Sequence, residues 1–335
     1  MNVSPPALLA GARPGVCHVA RYGVQRGAAL LAAMLTVTLV ATLAAAALWQ
    51  QWRGIEVEAA ERSRIQSSWI LTGALDWSRL ILREDKLSAG QTDNLSEPWA
   101  TPLAEARMSS FLSIDNSASD DTEEAFLSGQ ITDAQARLNL MNLVAGQKIS
   151  PSAHLAFLKL FDLVGIPAEQ LTVLEQNLLL ALGPQTDPDA LLAPQRVDEL
   201  AWLGLLPRNI QLLKPYVTLL PTTTPVNLNT ASAEVINAIF PNLDLSGAQR
   251  LVQQRQNKPF TMQGDVAAVV GELALQSSDA ALYAFVTDYF EVHGRLRLDQ
   301  TVLEERSLLK RTGSDVATLW RERWVSESLP GVNPP

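Results

Sequence analysis

The side chains that could carry chemistry are few and far apart. Three histidines, His18, His154 and His293, are scattered over 335 residues, and the single cysteine, Cys17, stands near the N-terminus. Such a set builds neither a thiolate zinc site nor a disulfide, and a His-based metal centre is not expected. No Ser-His-Asp set, no carboxylate pair in a recognisable context and no phosphate-cradling glycine loop can be read in the chain, so an enzyme is not expected. What remains is acid: Asp115, Asp120, Asp121, Glu123 and Glu124, with Asp133 nearby. Carboxylates are the hard oxygen donors that Ca²⁺ takes, yet no glycine follows at the position that the pattern D-x-[DN]-x-[DN]-G requires. Asp120, Asp121, Glu123 and Glu124 are therefore candidate calcium ligands, with a solvated acidic loop as the plain alternative.

Charge narrows the partners. Lys and Arg total 26 against 35 Asp and Glu, a formal net charge of −9. A surface of that sign repels phosphate backbones, so nucleic acid is not an expected partner. One segment, residues 226–255, does resemble the helix-hairpin-helix of DNA-binding proteins. Its turn, Pro241-Asn242-Leu243-Asp244-Leu245, lacks the glycines that let backbone N–H groups approach a phosphate, and it places an Asp near that position. A compact helical module with Thr230 or Ser232 as N-cap is the structural reading. A membrane-anchored DNA-uptake protein is the rival function.

The elements that must position these groups begin with a long helix. Residues 28–49 form 22 positions without a charge, and the next charge is Arg53. As a helix they span about 33 Å, enough to cross a bilayer core of about 30 Å. Arg13, Arg21 and Arg26 precede this run with no acidic residue among them. The positive-inside rule then holds the N-terminus in the cytoplasm and exports the chain beyond the helix. Trp49 and Trp52 suit the outer interfacial belt, and Trp69 and Trp77 are expected in the core of the helix as it packs on a sheet.

The helical pattern continues to about Asp85. Residues 88–128 are rich in turn formers and acids and read as a surface excursion. Alternating apolar positions on either side of Asp133-Ala134-Gln135-Ala136 suggest a hairpin over 129–144. About 130 helical residues come next, with candidate helices at 151–163, 167–182, 196–203, 207–216, 231–240, 246–256 and 264–270. Prolines stand at or near several of their starts, where a fixed φ suits the first turn. Strand character returns over 284–298 around an expected turn at His293-Gly294, residues 304–324 fit a strand or a helix, and 326–335 form a tail. A helical block that interrupts β structure implies that the two β parts pair across it.

The junction Arg26-Gly27 before Ala28-Ala29-Leu30-Leu31-Ala32 resembles the type IV prepilin leader, which a prepilin peptidase cuts between Gly27 and Ala28. The fifth residue after that cut is Glu in most pilin-like proteins and Ala32 here. A carboxylate inside the bilayer costs about 2.5–3.5 kcal/mol unless paired. A subunit with Ala32 has no need of a partner ahead of it. With Glu97-Pro98-Trp99-Ala100, Ile131-Thr132-Asp133, residues 137–143, Asp198-Glu199-Leu200, residues 213–218 and Val226-Asn227-Leu228-Asn229-Thr230-Ala231, the chain resembles the K-type minor pseudopilin of the bacterial type II secretion system.

The resemblance implies an α+β, type IV pilin-like fold: a long N-terminal helix packed on an antiparallel sheet, with a large all-helical insertion of sterile-alpha-motif-like modules. It implies a leader at 1–27, a transmembrane helix at 28–50, a pilin-like domain at 51–145 and 281–325, an insertion at 146–280 and a tail at 326–335. It further implies a place at the tip of the pseudopilus, a single-pass inner-membrane anchor and a periplasmic globular part. The implied partners are the I-, J- and H-type minor pseudopilins, the major pseudopilin, the inner-membrane secretion platform and the prepilin peptidase.

Overall fold

The computed structural model describes residues 26–88, 92–107, 125–183, 191–276, 279–298 and 301–327. Helix α1 runs over Arg26–Ser88. The chain divides by its internal contacts into residues 1–64 and 65–335. In the first unit every described side chain of the apolar run is exposed, and the segment is long and apolar enough to cross a membrane. Its hydroxyls are satisfied within the helix: Thr36, Thr38 and Thr42 each donate to the carbonyl three residues back, at 2.9 Å. Such self-satisfaction is what a polar group in lipid requires. Trp49 and Trp52 lie side by side, ring centroids 5.4 Å apart.

In the second unit, the described strands include an antiparallel sheet ordered β1-β2-β9-β10-β11. Its members are β1 (Leu103–Arg107), β2 (Ala125–Asp133), β9 (Tyr289–Leu298), β10 (Thr301–Thr312) and β11 (Asp315–Glu327). Strands β2 and β9 are neighbours from Ala125↔Leu298 to Asp133↔Phe290, so the two β parts do pair across the helical block. The C-terminal part of α1 lies on this sheet through Leu71, Leu75 and Leu82, each almost fully buried, against Leu127, Ile131, Phe290, Val292, Leu296 and Leu309.

Two expectations fail here for stated reasons. His293-Gly294 is not a turn but the middle of β9, paired with Gln130 and Gly129. A Cβ on Gly294 would press on Leu71 Cδ2 at 3.4 Å, and one on Gly129 would meet the His293 carbonyl at 2.8 Å. Gly294 marks a close approach of helix to sheet and Gly129 a close approach of β2 to β9, rather than a reversal. Trp69 and Trp77 are not core residues, being 73% and 49% exposed. The buried seam of α1 runs Ser67, Leu71, Leu75, Ser78, Leu82 and Asp85 at helical spacing, and both tryptophans fall off it.

Between β2 and β9 stands the helical block. It holds α2 (Pro151–Leu163), α3 (Ala168–Leu182), α4 (Pro207–Leu213), α5 (Ala233–Ile239), α6 (Leu245–Asn257), α7 (Gln263–Val270) and α8 (Glu272–Leu275), with a 3₁₀ helix at Val197–Leu203. One large apolar cluster fills it, with Phe157, Phe161, Leu171, Leu174, Val235, Ile236 and Phe240 fully buried. The expected hairpin at 129–144 is replaced. After a 3₁₀ turn at Ala134–Ala136, β3 (Leu138–Asn139) pairs in parallel with β6 (Val217–Thr218) instead of folding back on β2. The remaining short strands are β4 (Val144–Ala145), β5 (Lys148–Ile149), β7 (Val226–Asn227) and β8 (Tyr283–Ala284); β4 pairs with β5, and β7 with β8 in parallel.

Candidate functional site: two buried carboxylate centres

The seam between sheet and helical block is built from short polar side chains that take the place of regular ladders. Asp133, at the end of β2, is buried and accepts four hydrogen bonds. The donors are the Gln135 N–H at 2.7 Å, Asn227 Nδ2 at 2.9 Å, Thr230 Oγ1 at 2.6 Å and Thr287 Oγ1 at 2.7 Å. Burial raises its carboxyl above the ordinary value, and those donors oppose the rise. Asn139 does parallel work: its Nδ2 donates to the Thr222 carbonyl and Thr224 Oγ1, and its Oδ1 accepts from Met141 and Leu220 N–H. Asn142 clamps Thr224 from both sides, at 2.7 and 2.9 Å. Thr230, a candidate N-cap, is spent on Asp133, and Ser232 caps α5 through the Val235 N–H.

The second centre joins α1 to the sheet. Arg311, on β10, is 1% exposed, and its guanidinium lies 4.8 Å from the centre of the Phe290 ring. Nη1 donates to Asp85 Oδ2 of α1 at 2.9 Å, and Nη2 donates to Asp93 Oδ1 and to the Thr287 carbonyl. Asp93 Oδ2 accepts from the Thr287 N–H. Glu97 completes the group: its oxygens accept from the Asn94 N–H, Asn94 Nδ2 and, at 2.6 Å, the indole Nε1 of buried Trp99. One carboxylate oxygen from each of Asp85, Asp93 and Glu97 lies within 4.8 Å of the others. As a metal site the cluster fits poorly. A guanidinium already bridges two of the acids, and among the described residues Asp85 Oδ1 is the one oxygen of the three carboxylates that is buried without a donor. Ca²⁺ takes six to eight oxygens.

The residues singled out from sequence fall differently. Ala28 lies within α1, close to its start at Arg26. Gly27 lies in the same first turn of the helix, its surroundings outside the described residues, and Asp115, Asp120, Asp121, Glu123 and Glu124 lie outside them altogether. His154 pairs with Glu175 at 2.8 Å, and His293 with Glu304 at 3.3 Å while stacking on Trp324. Glu175 is buried and the other three partners are half-buried. In the segment that resembles a helix-hairpin-helix, Arg255 turns inward: its Nη1 donates to the Leu228 and Ala231 carbonyls, each at 2.6 Å. Burial pulls its pKa down to about 10. Asp244 is spent as the N-cap of α6 through the Gly247 N–H. Neither residue offers itself to a phosphate. Asp85, Asp93 and Arg311 carry no signal in the sequence, because 226 positions separate Asp85 from Arg311. Glu97 and Trp99 stand out there only as a motif.

A family model described as "Type II secretion system (T2SS), protein K" matches residues 226–288, which hold Asn227, Thr230, Arg255 and Thr287. Type II secretion system protein K of Pseudomonas aeruginosa is 27% identical, covering 82% of this chain and 85% of its own length. The protein of the same name from Klebsiella pneumoniae is also 27% identical, covering 90% and 98%. Among solved structures, the GspK-GspI-GspJ complex of the enterotoxigenic Escherichia coli type 2 secretion system contains a chain of similar fold. The match has a TM-score of 0.62 at 18% identity and covers 80% of this chain and 99% of that one.

Proposed function

The chain belongs to the type II secretion system protein K family, a structural and non-enzymatic component of protein export, and from that premise we propose that it caps the pseudopilus. The observation that carries the proposal is the helical block between β2 and β9, which adds a bulky body to one pilin-like sheet. A block of that size would clash with a subunit stacked above it. Ala32 supports the same place, since a tip subunit has no N-terminal amine ahead of it to pair with a buried carboxylate.

On this reading α1 anchors the protein in the inner membrane, N-terminus cytoplasmic and globular part periplasmic, after the peptidase cuts between Gly27 and Ala28. Its neighbours are the I- and J-type minor pseudopilins, which the solved complex names beside its K protein. The H-type and major pseudopilins and the secretion platform complete the set. The helices of the block are read as sterile-alpha-motif-like modules, inserted over 146–280 between the pilin-like parts at 51–145 and 281–325. The acidic residues Asp120, Asp121, Glu123 and Glu124 are read as a weak Ca²⁺ site, testable by whether chelator lowers and Ca²⁺ raises the melting temperature.

Immunogold labelling of sheared pseudopili tests the central point. Label is expected once per filament, at one end; label along the shaft at regular intervals rules out the cap. N-terminal sequencing of assembled protein should begin at Ala28, and Gly27→Glu should leave the chain uncut. A mature start elsewhere removes the leader from the proposal.

A further inference from the structure

Three carboxylates and one guanidinium leave the α1–sheet joint two negative charges in excess, with Asp85 and Asp93 buried and Glu97 half-buried. Asp85 is 7% exposed and Asp93 3%. The oxygens of Asp93 and Glu97 are engaged with Arg311, Thr287, Asn94 and Trp99. Asp85 Oδ1 is buried with no hydrogen-bond partner among the described residues. A bare carboxylate oxygen in such a pocket loses its hydration and gains nothing in return.

We infer that this cluster is a proton-binding site: it holds one proton, on Asp85, which turns the orphaned oxygen from a bare acceptor into a donor. A proton meets the need with one light group, whereas a hard divalent ion would have to displace donors from oxygens that already have them. The charged groups facing Asp85 are Arg311 from β10, Asp93 and Glu97 from the segment after α1, and Lys86 on its own helix. Desolvation outweighs the attraction of Arg311 and lifts the Asp85 carboxyl above its ordinary value; desolvation lifts Glu97 as well.

The sign of the consequence is opposite to that of an ordinary salt bridge. A group whose carboxyl binds a proton more tightly in the folded chain than in the unfolded one weakens the fold while it is charged. That loss is recovered as pH falls through the folded value. Acid therefore tightens the joint between α1 and the sheet, in a compartment that a periplasmic location would open to the outside medium.

The test is the melting temperature of the full chain in detergent micelles, wild type against Asp85→Asn, from about pH 8 to about pH 4.5. Asn keeps the shape and supplies the donor without the charge. The variant should melt roughly 2–4 °C above wild type at the high end, the shift that a modest gain in stability gives a domain of this size. The gap should close as pH falls. A gap independent of pH, or a variant less stable at every pH, overturns the inference. So does a stabilisation by added Ca²⁺ or Mg²⁺ that Asp85→Asn abolishes, since that would make the cluster a metal site. Difference infrared spectroscopy reads the proton directly. As pH falls from about 8 to about 4.5, wild type should gain the carbonyl stretch of a protonated carboxylic acid that the variant lacks, and its absence from wild type at every pH refutes the proposal.

Discussion

Asp133 and Asp85 are both buried acids at joints of the second unit, and they are held in opposite ways. Asp133 is surrounded by neutral donors, two hydroxyls, one amide side chain and one backbone N–H, so its charge is spread over short dipoles that the fold puts in place. Asp85 is held by a full countercharge, Arg311, and is left with one oxygen bare. The difference teaches where each joint draws its strength. Dipoles from four points of the chain fix a geometry and tolerate no substitution of shape. A guanidinium shared by two acids fixes two elements to each other and tolerates no removal of the cation, which would leave Asp93 buried without a countercharge.

The sharpest way to break this contrast is Arg311→Met. It leaves Asp85 and Asp93 buried together without their cation, and a loss of about 3–5 kcal/mol in urea unfolding is expected. A loss below about 1 kcal/mol would mean that the guanidinium is not what joins α1 to β10. Next in size is Asp133→Ala, which strands four donors and should cost about 3 kcal/mol, with Asp133→Asn costing less because one acceptor oxygen survives. If the two variants unfold alike, the donors are finding water, and the seam is wetter than its burial implies. The smallest effect belongs to Asp198→Ala, which removes the exposed pair with Lys214 at 2.9 Å, both side chains about half exposed. Stability should move by less than about 0.5 kcal/mol there. A larger shift would show that burial is not what separates strong from weak charge contacts in this chain.

What could be read from the residues alone tracks the range over which each signal acts. Helices announce themselves locally: Pro151 opens α2 at its first turn, Ser150 caps it, and the expected bounds 151–163 match the observed ones. The pairing of β2 with β9 came from order alone, strands before and after a helical block. Residues 304–324, open between strand and helix, are two strands, β10 and β11, reversing at Gly313 with φ of +60°. Facing was harder. Trp69 looked like core because tryptophan usually is, and nothing local says that the seam of α1 passes through Leu71 and Leu75 instead. The β3–β6 pairing and the Arg311 cluster were beyond reach for one reason. Their partners stand far apart in sequence, as with Leu138 and Val217, and ion pairs impose no period that a window could detect.

The insertion also sets an order in time. Thr132 and Glu291 touch across β2 and β9 although 159 positions separate them, against 81 between Lys159 and the Phe240 carbonyl it binds inside the block. Bringing distant ends together is entropically dear until something draws them close, and a folded block does that by shortening the loop. A helical body that folds first would deliver β9 to β2 and leave the sheet to shut last. A chain emerging N-terminus first must hold β2 with an open edge from Asp133 until Tyr289 is made, which is where a bystander strand would find its opportunity.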